Sequence, residues 1–508
     1  MRGSLFRNAE LLVGLAATFV ITPFIVHALG ARLYGFWTLI GAFIGYYGLM
    51  DFGLSSAAAR YLSQALGRGS REELNEVANT SFFLFGLIGA VVLLVSIACA
   101  LACPLFVSDP ADAALFREIM LLMGASTAIG FPLRVCTGVL TAYLRYDVIA
   151  YLAIGRALAA NAAIYLLVRR GGGLLGVAGV SVAASLLLNA ATFAACRLKC
   201  PDVRLVLFRY DAARARLMFG YSWKTFVSQL GDVLRFRLDS VVIAGGLDVA
   251  LLTPYSVGVR LVEGLTYLVH SSVGMMLPVF SLYEGRGDHD GIRGALLLST
   301  RLSSLLAAFV GFSVIFYAPA FILRWMGPGF DSGARVAAIL AAGFILELSQ
   351  TPGVQMLYGL SRHGVLAALI ACEGALNLAL SLFFMRRFGL YGVALGTAVS
   401  MILFKLFAQP VYICRVSGLP LRVFLGEVIL GTVAKAAAPL GLFFLLIRPF
   451  VLPTYARLIA CVAAQTLVFA PAAFFLVLNA AERRAILGAL RSARAEAPRA
   501  VLKTFTPA

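Results

Sequence analysis

The sequence predicts an all-α polytopic membrane protein with fourteen transmembrane helices, arranged as two pseudo-symmetric six-helix bundles plus two C-terminal helices. Three observations predict it. Hydrophobic residues make up 61% of the 508 residues and charged residues only 13%, about half the charged share of soluble domains. The apolar residues come in blocks long enough to cross a hydrocarbon layer, which takes about 20 helical residues. Pieces of sequence also recur at a fixed distance along the chain.

The apolar blocks place helices over 9–29, 34–60, 79–105, 116–142, 147–168, 174–196, 218–246, 252–282, 297–320, 335–360, 364–385, 389–414, 423–447 and 455–479. The basic start followed by an apolar run could mimic a signal peptide, but the run continues to Ala28 without a clear cleavage motif. It is read as a retained first span. Pro23, Pro132, Pro278 and Pro352 fall inside these spans. Carbonyls freed by such prolines must be satisfied by neighbours or water, which favours a packed bundle around a polar cavity.

The recurrence lies in paired turns. Residues 152–179 and 370–396 each end a helix with an arginine doublet, pass glycine and enter the next helix with Gly-Val-Ala. The doublets Arg169–Arg170 and Arg386–Arg387 are 217 residues apart. Upstream, 131–147 faces 351–364, each with a proline, a later glycine and a short basic turn. The domain reading follows: an N-terminal six-helix bundle over 1–198, a basic linker over 199–217, a second bundle over 218–416, two added helices over 417–481 and a basic tail over 482–508. Repeats with an even helix count are parallel, related by an axis along the membrane normal. Val203, Leu205, Leu207 and Phe208 alternate with arginines in the linker, which suggests a surface helix or strand-like stretch at the membrane face.

Net charge is +18, from 42 Lys plus Arg against 24 Asp plus Glu. Most cations sit in alternate connections, the linker and the tail. The poorer set holds chiefly Arg32, Arg169, Arg170, Arg324, Arg386, Arg387, Arg448 and Arg457. The richer side is cytoplasmic by the positive-inside rule, so both termini lie inside. No compact basic domain exists to bind nucleic acid, and none is expected as a partner. The eight cysteines lie mostly in apolar runs, as small hydrophobes do. With four histidines in the chain, no metal centre or disulfide framework is expected. No hydrolase, kinase or dinucleotide-binding pattern stands out, so no catalytic residue is assigned.

The informative residues are charges within the apolar spans, which are costly in lipid and normally face a cavity or each other. A cationic cavity is expected from Lys224, Arg235, Arg237, Arg260, Arg134 and Arg156. Arginine matches phosphate geometry bidentately and lysine acts as a point charge. Such a cavity suits an anionic head group, specifically a pyrophosphate carried on a lipid. Arg156 and Arg60 could instead snorkel to a membrane face. Asp51, Asp239, Glu263 and Glu373 are the candidates for coupling or gating. For Asp51 the structural alternative is an acid capping a helix break before Gly53. Arg260 and Glu263 share a helix face, as do Arg235 and Asp239. Tyr46, Tyr47, Tyr255 and Tyr267 could line a sugar path.

The opening carries Pro23, Leu29-Gly30, Tyr34-Gly35 and Asp51-Phe52-Gly53, and GLYGVALGTAVS follows at 389–400. In these features the chain resembles the polysaccharide flippases of the multidrug/oligosaccharidyl-lipid/polysaccharide exporter superfamily. The resemblance implies transport rather than bond chemistry, with no cofactor. It implies an alternating-access carrier in the bacterial inner membrane. Such a carrier turns undecaprenyl-pyrophosphate-linked glycans from the cytoplasmic to the outer leaflet for O-antigen, capsule or exopolysaccharide assembly. Coupling to an H+ or Na+ gradient is implied, as are membrane lipids and a polysaccharide polymerase as partners. Lipid II flippases share the fourteen helices, and drug exporters are relatives that usually have twelve. A membrane-embedded polymerase or ligase usually carries a large extracytoplasmic loop, and no outside connection here is long enough.

Overall fold

The computed structural model describes residues 2–103, 109–206, 209–220, 222, 226, 238–273, 276–362, 364–480, 482–484 and 487. Among the described residues all regular secondary structure is helical. Six helices come first: α1 (Arg2–Tyr47), α2 (Leu54–Gly67), α3 (Arg71–Leu101), α4 (Pro110–Ala142), α5 (Tyr146–Arg169) and α6 (Leu174–Lys199). Then come α7 (Leu238–Gly246), α8 (Leu252–Val273), α9 (Met276–Gly285), α10 (His289–Met326), α11 (Asp331–Ser349) and α12 (Thr351–Gly359). The last are α13 (Gly364–Phe388), α14 (Leu390–Leu403), α15 (Gln409–Ser417), α16 (Gly431–Ile447) and α17 (Tyr455–Ala472). Eleven segments among the described residues are long and apolar enough to cross a membrane. The first of them bends at Gly30, where φ is 78°, between the first two spans read from the sequence. The span expected over 218–246 falls largely outside the described residues. The span expected over 252–282 is divided between α8 and α9.

The chain packs as two compact units. The first contains residues 1–260 and 367–400, the second 261–366 and 401–508. In the first unit α3 packs on α4, α1 on α5, and α4 and α5 on α6. The span drawn over 34–60 is broken: a short 3-10 turn, Leu49–Asp51, leads to Phe52 and Gly53, both left-handed at φ 48° and 73°, before α2 begins. Asp51 accepts hydrogen bonds from Ser55 N at 3.2 Å and Ser55 Oγ at 2.7 Å, satisfying amide donors that a helix start leaves open. The Tyr-Gly pair at 34–35 has a packing cause. A Cβ on Gly35 would strike the Val249 carbonyl, so only glycine admits this approach. Thr253 Oγ1 donates to Ala31 O at 2.5 Å beside it.

The linker is pinned within the same unit. It is a strand-like strap over 203–206 followed by helix over 212–220. Asn75 and Asn79 lie one turn apart on α3 and grip alternate linker residues as a strand edge would. Asn75 donates to Asp202 O at 2.9 Å and accepts from Arg204 N at 2.7 Å. Asn79 repeats the pattern with Arg204 O at 3.0 Å and Val206 N at 2.6 Å. Ion pairs of Arg71 with Asp202 and of Arg214 with Glu73, both 2.9 Å, flank this ladder. The helix carrying it starts at Arg71, before the span read from hydropathy. Ser70 Oγ accepts from Glu73 N at 3.2 Å and Glu72 and Glu73 occupy the first turn, a favourable N-terminus that polar residues extend.

The recurring turns share backbone conformation. Gly171 and Gly389, each just after an arginine doublet, have φ of 79° and 53°. Leu144 and Ser361, each just before Arg145 or Arg362, have φ of 57° and 56°. Side-chain-bearing residues rarely adopt such values.

In the second unit the long α10 packs against α11 and α16. Phe316 stacks on Phe444 with ring centroids 4.3 Å apart. Tyr317 donates to Gln465 Oε1 and Gln465 Nε2 to Ser313 Oγ, both at 2.7 Å. These bonds satisfy polar groups in an otherwise apolar face.

Candidate functional site

Three polar places among the apolar helices stand out, and each belongs to one unit. In the first unit α4, α5 and α6, with Ile44 of α1, line an open cavity of about 320 Å³. Arg134 and Arg156 line it together with Ser126, Thr127, Ser185 and Asn189. Arg134 Nη1 is 3.6 Å from Asp51 Oδ1, and its guanidinium lies 4.0 Å from the Phe131 ring centroid. Asp51 therefore both starts α2 and orients one cavity arginine. Arg156 sits near the middle of α5. Arg156, Ser185 and Asn189 make no ion pair or hydrogen bond among the described residues. An arginine at mid-span costs about 2.5–3.5 kcal/mol to insert. A cation kept there without a protein partner is offset by water or by an anion. Guanidinium, hydroxyl and amide groups are donors that phosphate oxygens accept.

The second place is built around Asp239 of α7, which is 6% exposed. Tyr255 Oη donates to its Oδ2 at 2.5 Å and Thr397 Oγ1 at 2.9 Å. Thr397 Oγ1 also lies 3.1 Å from Asn377 Oδ1 and 3.3 Å from Val393 O. Ser381 Oγ is 3.0 Å from the same Asn377 oxygen and 3.3 Å from Val393 O. One threonine proton faces three acceptors, so oxygen lone pairs outnumber hydroxyl protons here. One carboxylate among neutral oxygens is a donor set for a hard cation or a proton. Close packing makes the cluster: a Cβ on Gly396 would strike Ser381, so the glycine-rich start of α14 lets Thr397 reach Asn377. Among the described residues no group of three His, Cys, Asp or Glu side chains could hold a metal.

The third place is in the second unit. Lys405, 2% exposed, lies in a π-helical turn over Phe404–Ala408. Its Nζ is 2.8 Å from Glu347 Oε2 and donates to Gln409 Oε1 at 2.5 Å. Gln350 Nε2 donates to Lys405 O at 2.6 Å, and Gln409 Nε2 to Gln350 Oε1 at 3.2 Å.

The structure brings Arg134, Arg156 and Asp51 together and places Asp239 in a separate oxygen cluster. Glu373 is buried one turn before Asn377 on α13. Arg260 is half-buried and Glu263 exposed on α8, and neither lines the cavity. Lys224, Arg235 and Arg237 lie outside the described residues. Tyr255, expected on a sugar path, instead holds Asp239, and Tyr47 is buried with its hydroxyl 2.6 Å from Ser96 Oγ. Sequence reasoning missed Asn377, Thr397 and Asn189. The available signal was a lone amide or hydroxyl inside an apolar span, the same cost argument that selected the charges.

Comparison with known proteins agrees with this architecture. A family model described as polysaccharide biosynthesis protein matches residues 32–332. EpsK, an uncharacterized membrane protein of Bacillus subtilis, is 23% identical over 480 residues, covering 93% of this chain and 94% of EpsK. Agl15 of Haloferax volcanii, described as a probable low-salt glycan biosynthesis flippase, is 26% identical over 187 residues, 37% of this chain and 39% of Agl15. Among solved structures, the lipid II flippase MurJ in an inward closed conformation superposes with a TM-score of 0.71 at 14% identity, covering 93% of this chain and 98% of MurJ. An inward-facing multidrug resistance transporter of the MATE family gives 0.64 at 16% identity, over 82% of this chain and 99% of that one. At these identities the structures show the fold alone. The family match spans more than half of the sequence, and the chain belongs to the polysaccharide biosynthesis protein family.

Proposed function

We propose that this protein carries a glycan attached to undecaprenyl pyrophosphate from the cytoplasmic to the outer leaflet of the bacterial inner membrane, by alternating access and without bond chemistry. The observation that carries the reading is the cavity among α4, α5 and α6, where unpartnered Arg156 and ion-paired Arg134 face polar groups within membrane spans. Arginines at mid-membrane suit a pyrophosphate and oppose a cationic drug. In this reading the chain has fourteen spans in two six-helix halves plus two, with both termini cytoplasmic, and it serves a surface-polysaccharide polymerase. The shared turn conformations at Leu144 and Ser361 and at Gly171 and Gly389 support the two halves.

The Asp239 cluster is the coupling site of this account. A proton or Na+ entering the oxygens of Asp239, Asn377, Thr397 and Ser381 neutralises the carboxylate, and its departure restores the charge. Either state change alters the packing of α7 against α13 and α14, which an imposed gradient then drives.

The test is leaflet exposure of a labelled undecaprenyl-pyrophosphate oligosaccharide in vesicles holding the purified protein. Protein-dependent movement, accelerated by an imposed H+ or Na+ gradient, is the expected result. Movement of lipid II alone would assign the protein to peptidoglycan synthesis instead.

A further inference from the structure

A second cavity touches the first. Along the outside of α5 and α6 runs an apolar groove of about 490 Å³. Its floor is small: Gly155, Ala159, Ala160 and Ala163 from α5 face Ala183 and Ala184 from α6. These two helices are the least buried of the eleven candidate spans. Two neighbouring helices presenting small residues at helical spacing leave a channel between the larger side chains. Arg156 lines this groove and the polar cavity alike, and so does Leu188. Arg156 thus stands where the apolar groove and the polar cavity meet. A larger apolar cavity in the second unit, lined by Phe309, Tyr317, Phe321 and Ile459 among others, has no charged side chain among the described residues of its lining.

We infer that the α5–α6 groove seats the isoprenoid chain of the lipid-linked substrate, with Arg156 holding the first phosphate at the point where chain becomes head group. The inference rests on the lipid-linked-glycan reading and extends it to a chain subsite. A polyprenyl pyrophosphate is apolar up to one atom and doubly charged beyond it. A binding site for it therefore needs an apolar path ending at a cation beside a polar chamber. The groove, Arg156 and the cavity supply these in that order within one unit. Arg156 makes no protein ion pair or hydrogen bond among the described residues, so its donors are open to the phosphate. Alanine lining suits an isoprenoid chain, whose methyl branches need width along the whole path. The groove holds the head-proximal part of a long chain, and the rest continues in lipid.

The probe is undecaprenyl pyrophosphate without glycan, bearing a diazirine in its isoprenoid chain, added to the full-length protein in vesicles and mapped by mass spectrometry after illumination. Crosslinks are expected on α5 and α6 around Ala159 and Ala184, competed by unlabelled polyprenyl pyrophosphate and not by phosphatidylglycerol. Ala159→Trp, which fills the groove from an exposed position, abolishes them. Arg156→Gln lowers them about tenfold, the scale of one lost charge-assisted contact. Equal competition by phosphatidylglycerol would overturn the inference, because the groove would then be a general lipid site. Crosslinks spread over other helices, or unchanged in Ala159→Trp, would also overturn it. If transport of the lipid-linked glycan persists in that case, the functional reading stands and only the chain subsite falls. Absence of both transport and competition by polyprenyl pyrophosphate would remove the functional reading and this inference together.

Discussion

Lys405 and Arg156 are both cations within apolar spans, and the protein treats them in opposite ways. Lys405 is 2% exposed, with Glu347 2.8 Å away and Gln409 Oε1 accepting a second bond from its Nζ. Arg156 is exposed, borders two cavities and has no protein partner among the described residues. The difference teaches how to sort embedded charges. A charge whose donors are all spent on the protein holds the fold together. A charge whose donors remain open is available to a ligand. Arg134 lies between them, paired with Asp51 at 3.6 Å yet still lining the cavity.

The strongest way to break this contrast is to strip Lys405 of its charge. Lys405→Met leaves the part-buried Glu347 without its lysine, and should cost about 3–5 kcal/mol of stability. Thermal unfolding in detergent reads it, and adding Glu347→Leu should restore most of the loss. The mirror case is Arg156→Gln. Stability should change by less than about 0.5 kcal/mol, while transport falls about ten- to hundredfold, the loss of a charged hydrogen-bond partner for phosphate. A large stability loss there would erase the distinction. Asn79→Ala probes the linker strap. It leaves Arg204 O and Val206 N without their partner, so about 1–3 kcal/mol of local stability should go, seen as faster hydrogen exchange over 203–206. Asp239→Asn should have only a small effect on folding, under about 1 kcal/mol, because an amide oxygen still accepts from Tyr255 and Thr397. It should nonetheless abolish the gradient dependence of transport, measured with imposed H+ and Na+ gradients.

The sequence made much of this readable where one local cause suffices. Hydropathy placed long apolar helices along the chain because lipid demands them, and eleven segments among the described residues are long and apolar enough to cross. Asp51 ahead of Phe52-Gly53 marked the helix break because capping is a matter of adjacent residues. The early start of α3 was also legible in Ser70 and Glu73, but hydropathy alone places the boundary where polarity ends and not where the helix begins. What stayed hidden depends on distant residues meeting. Nothing in the sequence couples Lys405 to Glu347, or Asp239 to Thr397, because helix packing and not spacing brings them together. The cost of an embedded charge picked out Arg134, Arg156 and Asp239 one at a time. It could not say that the two arginines share one cavity and the aspartate lies in another place.

Arg134 and Arg156 are the residues that hold the pyrophosphate of a lipid-linked glycan in this account. The most direct measurement compares leaflet exposure of a labelled undecaprenyl-pyrophosphate oligosaccharide in vesicles holding the native protein with that in vesicles holding an R134Q/R156Q double variant of unchanged melting temperature. The account predicts movement with the native protein and loss of at least about a hundredfold in the variant. Undiminished movement in the folded variant would contradict it.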